Sequence, residues 1–257
     1  MRVSLLNVAR RWLMAVSPAV GVLGFLLLWQ LLVRVFNIAE LPAPWDVLRH
    51  LGSDPGYYWT NGRRTAWNAS LGFLLAMLVG VLGGAVMAHS RFIEKAVQPL
   101  AVLVQVTPII AYAPKIVTWL GFGLKSVVSL TSLVCMVPFL LNTAAGLQSV
   151  DPTLIELARS VDASPLEVLW RLRIPSALPN LFTAARISVG LALIGAVLGE
   201  FFAHGRTGLG RSVSQAVDFR LPLQLWASVF GLALMGSIAT AAIGLLERTV
   251  QQWHPPG

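Results

Sequence analysis

The chain has 257 residues, of which 56% are hydrophobic and only 12% are charged, and its mean hydropathy is +0.73. Soluble domains carry about a quarter charged residues, so the composition argues against a soluble fold and favours a lipid environment. Lys and Arg exceed Asp and Glu by 19 − 11 = 8. These basic residues are scattered between apolar blocks, which argues against nucleic-acid binding and indicates charges that flank membrane spans.

Six apolar segments are long enough to cross a bilayer, which takes about 20 mostly apolar residues in a helix. The predicted spans are approximately residues 12–36, 65–90, 96–120, 125–149, 180–203 and 221–247. The first is too long for a signal-peptide core and no small-residue cleavage site follows it, so we expect it to be retained. The predicted fold class is an all-α integral membrane protein with about six transmembrane helices, forming one domain over residues 1–257.

Two of the predicted spans contain features that are unusual in a membrane helix. The third span carries Pro99, Pro108 and Pro114. Lys115 follows the last of these prolines, where a broken helix could face a water-filled cavity. The fifth span has Arg186 near one end and Glu200 near the other. Because an ionisable group at membrane depth is a functional hypothesis by default, Lys115 and Glu200 are candidate pathway residues. The alternatives are that they reach the interface, or that Glu200 pairs with a basic neighbour such as Arg206.

Small residues recur at a four-residue spacing in three of the spans. The sets are Gly80 with Gly84, Gly195 with Gly199, and Gly236 with Thr240 and Gly244. This spacing usually marks close contact between membrane helices, although glycine is also common in such helices by chance. The sequence therefore predicts helix packing, either within the chain or between copies of it.

The segment Asp151–Pro179 predicts two short helices with explicit start signals. Asp151 can cap a helix that begins at Pro152, in which Leu154, Ala158 and Val161 share a face. The sequence from Ser164 to Glu167 is a capping box with proline at the first helical position.

The second of these helices carries an apolar stripe of Leu166, Leu169 and Trp170, and we expect Pro175 and Pro179 to end it before the next span. Two capped helices with exposed charge suggest a docking surface. A plain interfacial helix lying on lipid is the alternative.

At these residues the chain resembles the cytoplasmic coupling loop of binding-protein-dependent ABC importer permeases, whose motif runs Glu-Ala-Ala, three residues, Gly, then nine residues to Ile-x-Leu-Pro. The matching positions are Glu156, Ala158, Ala163, Ser164, Pro175 and Pro179. Two positions depart from the motif, since Leu157 replaces an alanine and Asp162 replaces the turn glycine. Aspartate tolerates the left-handed conformation better than most residues, so we expect the corner to be kept.

Other segments, between about Leu41 and Glu247, are similar to the nitrate/sulfonate/taurine branch of the same family. They are Leu41–Val47, Trp119–Ser126, and Gly199-Glu200 followed by Thr207–Gly210. The resemblance implies a type I importer permease in the plasma membrane of a prokaryote, with both termini and the Asp151–Pro179 loop in the cytoplasm. Charge alone does not set this orientation, because Lys and Arg are divided almost evenly between the loops of the two sides.

The resemblance also implies the partners of the chain. They would be cytosolic ATPase subunits that bind ATP and Mg, an external solute-binding protein, a second permease copy, expected to be identical, and the lipid bilayer. No cofactor is expected in this chain, and the solute would be a nitrate-, sulfonate- or taurine-like anion or a vitamin precursor. The residues that would couple to the ATPase are Glu156, Leu157, Ala158, Arg159, Asp162, Ala163, Ser164, Leu166 and Pro175.

Two rival functions are a membrane-embedded enzyme and a membrane scaffold that does not transport. The sequence contains no Gly-x-Ser-Gly tetrapeptide and no cluster of His, Cys and carboxylate residues with metal-ligand spacing, which argues against an enzyme. It also contains no G-x-x-x-x-G-K-[ST] phosphate loop, so a transport function would take its energy from another chain. A scaffold leaves the two capped helices unexplained.

Overall fold

The computed structural model describes residues 20–36, 40–203, 205 and 207–250, and these residues form helices joined by short turns. In chain order the helices are α1 (Val20–Phe36), α2 (Pro44–Ser53), α3 (Pro55–His89), α4 (Arg91–Val106), α5 (Ile109–Leu120), α6 (Leu124–Gln148), α7 (Pro152–Ser160), α8 (Pro165–Val168), α9 (Ile174–Phe202), α10 (Leu209–Asp218) and α11 (Pro222–Val250). A π-helical turn, Leu169–Arg173, joins α8 to α9. The all-α prediction is confirmed.

The predicted number of spans is not reproduced exactly. Within the described residues, four helices are long and apolar enough to cross a membrane: α3, α6, the continuous helix Pro165–Phe202, and α11. Helices α4 and α5 make a fifth span only as a pair bent by 99°. The first predicted span begins at residue 12, outside the described residues, and its described part is the 17-residue helix α1.

The third predicted span, residues 96–120, is broken where its middle proline stands. Thr107 is extended, with φ −76° and ψ 122°, and Pro108 precedes the first residue of α5. A residue before proline is pushed out of the helical conformation by the proline ring, which explains the break. Pro99 and Pro114 lie inside α4 and α5 without ending them.

The core of the molecule is a layer in which α6 lies between α3 and α9. Glycines allow this close approach, because a Cβ at Gly80 would lie 2.5 Å from the Cβ of Phe139, and one at Gly195 would lie 2.6 Å from the Cα of Thr131. Two of the three predicted small-residue sets are therefore helix contacts within this chain. The third set is divided: a Cβ at Gly236 would lie 3.0 Å from the Cδ1 of Leu193 on α9, whereas among the described residues no atom lies within 4 Å of a Cβ built at Gly244.

The expectation that Pro175 and Pro179 end the helix before the fifth span is wrong. Pro165–Phe202 is one continuous helix, with Pro175 in the first turn of α9 and Pro179 inside it. Proline clashes with the carbonyl four residues earlier, which for Pro175 is that of Arg171. Arg171 lies in the π-helical turn, where the Ile174 N–H donates to the Leu169 carbonyl five residues back. This wider turn accommodates the proline, as π-bulges do in kinked helices.

The bundle has two distinct ends. At one, here called the loop end, the end of α3, the start of α4, the end of α6 and the π-helical turn surround a cavity that also contacts α7 through Ile155. At the other, here called the α10 end, the cluster of Val47, Tyr58, Leu209 and Ala227 packs α2 and α10 against the first turns of α3 and α11. The two candidate sites lie at these opposite ends.

Candidate functional site

The first helix of the loop end, α7, begins with the predicted cap. The Asp151 carboxylate accepts a hydrogen bond from the Thr153 N–H at 2.9 Å and another from the Thr153 hydroxyl. These bonds, the hydroxyl first, favour the charged form and lower the pKa of Asp151 below its usual value. The cap therefore stays formed at neutral pH.

The corner after α7 is a Schellman motif centred on Asp162. The Asp162 N–H donates to the Arg159 carbonyl at 3.1 Å, and the Ala163 N–H donates to the Ala158 carbonyl at 3.0 Å. Asp162 itself has φ +54°, the left-handed conformation that glycine usually supplies at this place. The expectation that aspartate keeps the corner in place of the motif glycine is confirmed.

The second helix of the loop end begins with a complete capping box. The Ser164 hydroxyl accepts from the Glu167 N–H at 3.3 Å, and the Glu167 carboxylate accepts from the Ser164 N–H at 2.9 Å. Glu167 also lies 3.9 Å from Arg171, an exposed ion pair that contributes little to stability. Caps and corner together hold the two helices in a fixed relative position.

This rigid corner presents a set of apolar side chains to its surroundings. Leu157, Val161, Leu166 and Trp170 are between 62% and 69% exposed. Leu157 and Val161 also line a groove in which Ala158 and Ala163 are half-buried. Exposed apolar groups around a polar-capped corner are typical of an interaction site.

The structure brings together eight of the nine predicted coupling residues. Those on α7, at the corner or at the start of α8 are Glu156, Leu157, Ala158, Arg159, Asp162, Ala163, Ser164 and Leu166. Pro175 is separate, because it is half-buried in the first turn of α9. We correct its position accordingly: Pro175 belongs to the span, and the exposed surface ends at the π-helical turn.

The second candidate site is Glu200, which is 2% exposed and lies at the α10 end. Its carboxylate accepts from the Thr65 hydroxyl at 2.8 Å, from the Asn68 amide at 2.7 Å and from the Gly210 N–H at 3.0 Å. Three donors from two other helices satisfy a group that would otherwise be costly to bury. Glu200 thus joins α3, α9 and α10, and no ion pair joins it to another described residue. The suggested partner Arg206 lies outside the described residues.

Backbone N–H groups at the start of α10 complete this cluster. The Leu209 N–H donates to the Thr65 hydroxyl and the Gly208 N–H donates to the Asn61 side chain, at 2.8 and 2.7 Å. Gly208 has φ +137°, and a Cβ there would lie 2.3 Å from the Glu200 carboxylate. Only glycine fits at this position.

The partners of Glu200 on α3 were missed from the sequence, although a signal for them exists. Asn61, Thr65 and Asn68 stand at i, i+4 and i+7, which places three polar side chains on one face of a mostly apolar helix. A polar face on a membrane helix turns away from lipid. The buried acceptor that this face meets, Glu200, lies too far along the chain to be paired with it by spacing.

Lys115, the other predicted pathway residue, is exposed on α5. Its ammonium lies 5.6 Å from the centre of the Trp119 ring one turn later, a cation–π contact. The helix is not broken beside Lys115: Pro114 lies inside α5, and the 99° bend is at Thr107 and Pro108, seven residues before Lys115. Its role in a pathway remains a prediction, and no hydrogen bond or ion pair between described residues joins it to Glu200.

Comparison with known proteins identifies the family to which this chain belongs. Residues 72–256 match the family described as "binding-protein-dependent transport system inner membrane component". The formylaminopyrimidine transport permease protein ThiX of Halalkalibacterium halodurans is 33% identical over 95% of this chain and 98% of its own length. The riboflavin transport system permease protein RibX of Chloroflexus aurantiacus is 34% identical, covering 92% of this chain and 91% of that protein. The taurine transport system permease protein TauC of Escherichia coli is 29% identical, covering 95% and 93%.

Solved structures share the fold. A chain of the inward-facing MetNI methionine ABC transporter covers 80% of this chain and 96% of its own, with a TM-score of 0.57 and 20% identity. A chain of an amino acid ABC transporter covers 77% and 96%, with a TM-score of 0.60 and 19% identity. The chain belongs to the family of binding-protein-dependent transport system inner membrane components and is a permease subunit of an ABC importer.

Proposed function

We propose that the loop-end surface, residues 151–173, is the place where this permease binds a separate ATPase subunit. The observation that supports it most directly is the combination of a cap at Asp151, a Schellman corner at Asp162 and a capping box at Ser164 with exposed apolar side chains. A rigid corner transmits motion of a bound partner to the helix that continues from it. Here that helix is α9, because Pro165–Phe202 is unbroken.

The energy for transport comes, on this proposal, from ATP and Mg bound by the partner. The chain has no phosphate-loop motif of its own. The loop end would then face the cytoplasm and the α10 end the outside, where a solute-binding protein would deliver the solute. If the number of spans is even, both termini would lie on the cytoplasmic side. The last residue of α11 lies at the loop end, which agrees with a cytoplasmic C-terminus.

A second permease copy would complete the transport path, and we propose that the copy is identical. One observation supports a missing neighbour: of the described residues of α11, only Ala227 and Ser228 are buried within the chain. A long helix that packs so little within its own chain leaves part of its surface for another helix. Native mass spectrometry of the purified importer should show two permease chains for two ATPase chains.

We propose two chemical classes for the solute and no single compound. Relatives named for taurine, for aliphatic sulfonates and for bicarbonate indicate small anions, whereas those named for formylaminopyrimidine and riboflavin indicate vitamins and their precursors. Purifying the solute-binding protein encoded beside this chain and identifying what it carries would decide between the two classes.

Charge reversal at the corner tests the ATPase site. Glu156→Lys changes an exposed carboxylate on α7 that makes no capping bond, so the helix should still form. We expect the variant to insert into the membrane normally and to lose most of the co-purified ATPase. Asp218→Lys, which reverses an exposed carboxylate on α10 at the opposite end of the bundle, is the matched control. Unchanged ATPase binding by Glu156→Lys would contradict the proposed site.

A further inference from the structure

An ion pair joins two membrane helices far from both sites described above. The guanidinium of Arg186 on α9 contacts the carboxylate of Glu247 on α11. The side chains are 55% and 20% exposed. This pair links residues 61 positions apart, whereas the pair at the loop end lies within one helical turn.

The backbone at Arg186 lies near the middle of the membrane-spanning bundle. Two residues later, the Ser188 hydroxyl donates to the Cys135 carbonyl at 3.3 Å, and Cys135 is the twelfth of the 25 residues of α6. The guanidinium extends from there to Glu247, three residues before the end of α11. An arginine that starts inside a span usually faces a polar surface or reaches the interface and avoids lipid.

The surface around the pair is a groove between α9 and α11 that is unlike a lipid-facing one. It is lined by small and polar residues of α11, together with the two arginines: Gly236, Ser237, Thr240, Gly244, Arg186 and Arg248. The charges of Arg186, Arg248 and Glu247 sum to +1. Because the five N–H groups of a guanidinium match any oxyanion of suitable geometry, Arg186 can exchange the Glu247 carboxylate for the oxyanion of a solute.

We infer that this groove lines the aqueous route of the importer and that Arg186 binds the anionic group of the passing solute, a sulfonate or carboxylate, in competition with Glu247. The inference rests on the proposed function and narrows its solute class to anions. Guanidinium recognises planar or branched oxyanions through paired hydrogen bonds. Glu247 then keeps the arginine neutralised between solutes, which lowers the cost of holding it at this depth.

The competing explanation is a structural link that holds α11 against α9. The two explanations differ in what the single variants do. A structural link fails equally when either partner is neutralised. A solute-binding arginine fails only when Arg186 is changed, whereas Glu247→Gln frees the guanidinium for the anion.

Thiol chemistry tests the groove without knowledge of the solute. The chain has one cysteine, Cys135, which is buried, so Cys135→Ser gives a background for single cysteines. Thr240→Cys places a thiol in the groove. Ile238→Cys places one about 200° around the same helix, at a position where the native side chain is 61% exposed. The probes are two water-soluble methanethiosulfonates, one carrying a sulfonate and one carrying a quaternary ammonium. They are applied to the assembled importer in membranes, with and without ATP.

We expect both probes to modify Thr240→Cys and neither to modify Ile238→Cys. The ratio of the sulfonate rate to the ammonium rate should fall about fivefold or more in Arg186→Gln, as one unit charge at close range predicts. This rate ratio should stay unchanged in Arg186→Lys and should increase in Glu247→Gln. An unreactive Thr240→Cys, or a rate ratio that Arg186→Gln leaves unchanged, would overturn the inference.

The lipid headgroup is the other source of an oxyanion, and the same experiment separates it from a solute. If phosphate of a lipid occupied the groove, both water-soluble probes would be excluded from Thr240→Cys. The proposed ATPase-binding surface is tested by a separate measurement, the amount of ATPase that co-purifies with the unmodified permease and with Glu156→Lys. The two results therefore cannot be confused.

Discussion

The carboxylate of Glu200 and the hydroxyl of Thr65 meet at 2.8 Å although 135 residues separate them. The same hydroxyl accepts a hydrogen bond from the Leu209 N–H, so one threonine connects α3 to both α9 and the start of α10. Every hydrogen-bond function of that hydroxyl is used. At the loop end, the caps of α7 and α8 likewise satisfy the free backbone groups of short helices. Both ends of the permease are thus held by polar groups, and the apolar core lies between them.

Removing the Thr65 hydroxyl should loosen the α10 end. Thr65→Val keeps the shape of the side chain, but it removes one of the three donors to the Glu200 carboxylate and leaves the Leu209 N–H without its side-chain acceptor. We expect it to destabilise the permease by about 1–3 kcal/mol, the cost of leaving a buried hydrogen-bonding group unsatisfied. Thr65→Ser, which keeps the hydroxyl, should lose much less. The thermal unfolding midpoint of the purified permease measures both, and equal midpoints for the two variants would contradict the network.

A methyl group at Gly208 should disturb the same cluster sterically. The Cβ of Gly208→Ala would lie 2.3 Å from the Glu200 carboxylate, at a φ of +137° that alanine rarely adopts. The matched control is Gly190→Ala in α9, where no atom of the described residues lies within 4 Å of the added Cβ and where alanine favours the helix by up to about 1 kcal/mol. We expect Gly208→Ala to lower the unfolding midpoint and Gly190→Ala to keep or raise it.

The sequence predicted those structural features whose physical cause lies within a few residues along the chain. The caps at Asp151 and Ser164 act within four residues, so spacing and residue type were enough to find them. The left-handed corner at Asp162 was predicted for the same reason, with the family motif as guide. The prolines of the third span predicted an interruption there, but not that Pro108 would cause it while Pro114 stays inside α5. These are backbone effects whose partners are neighbours in the chain.

The failures have equally definite causes. The sequence suggested that Pro175 ends a helix, because a π-helical turn that accommodates the ring cannot be seen in residue spacing. The partners of Glu200 and Arg186 are 135 and 61 residues away, and only the packing of α3, α9 and α11 brings them together. For Glu200 the sequence offered a pathway role and a structural role, and its three hydrogen bonds favour the structural one.

Lys115 gives a test of the route through the membrane. If its ammonium on α5 attracts an anionic solute, Lys115→Leu should lower uptake several-fold without lowering the amount of assembled importer. Lys115→Arg should keep part of the activity, because the charge and the contact with Trp119 are both retained. The measurement is uptake of the solute identified from the binding protein, per assembled complex. Full uptake by Lys115→Leu would assign Lys115 to anchoring at the interface.

Asp162 gives the sharpest test of the coupling corner, because its backbone conformation can be changed without altering the exposed apolar surface. Asp162→Gly should be tolerated or slightly stabilising, since glycine adopts a φ of +54° without strain. Asp162→Val should be damaging, because a β-branched residue is poorly suited to positive φ and the left-handed conformation costs about 1–2 kcal/mol even for ordinary residues.

The expected consequence of Asp162→Val is functional, not global unfolding. The Schellman bonds from Asp162 and Ala163 would be lost, α7 would no longer be held against α8, and the exposed Leu157 and Leu166 would lose their fixed spacing. The variant should therefore enter the membrane in normal amounts while ATPase co-purification and solute-stimulated ATP hydrolysis fall together. Asp162→Gly, the matched control, should retain both. If Asp162→Val kept full stimulation, the geometry of this corner would not be what transmits ATP hydrolysis to α9.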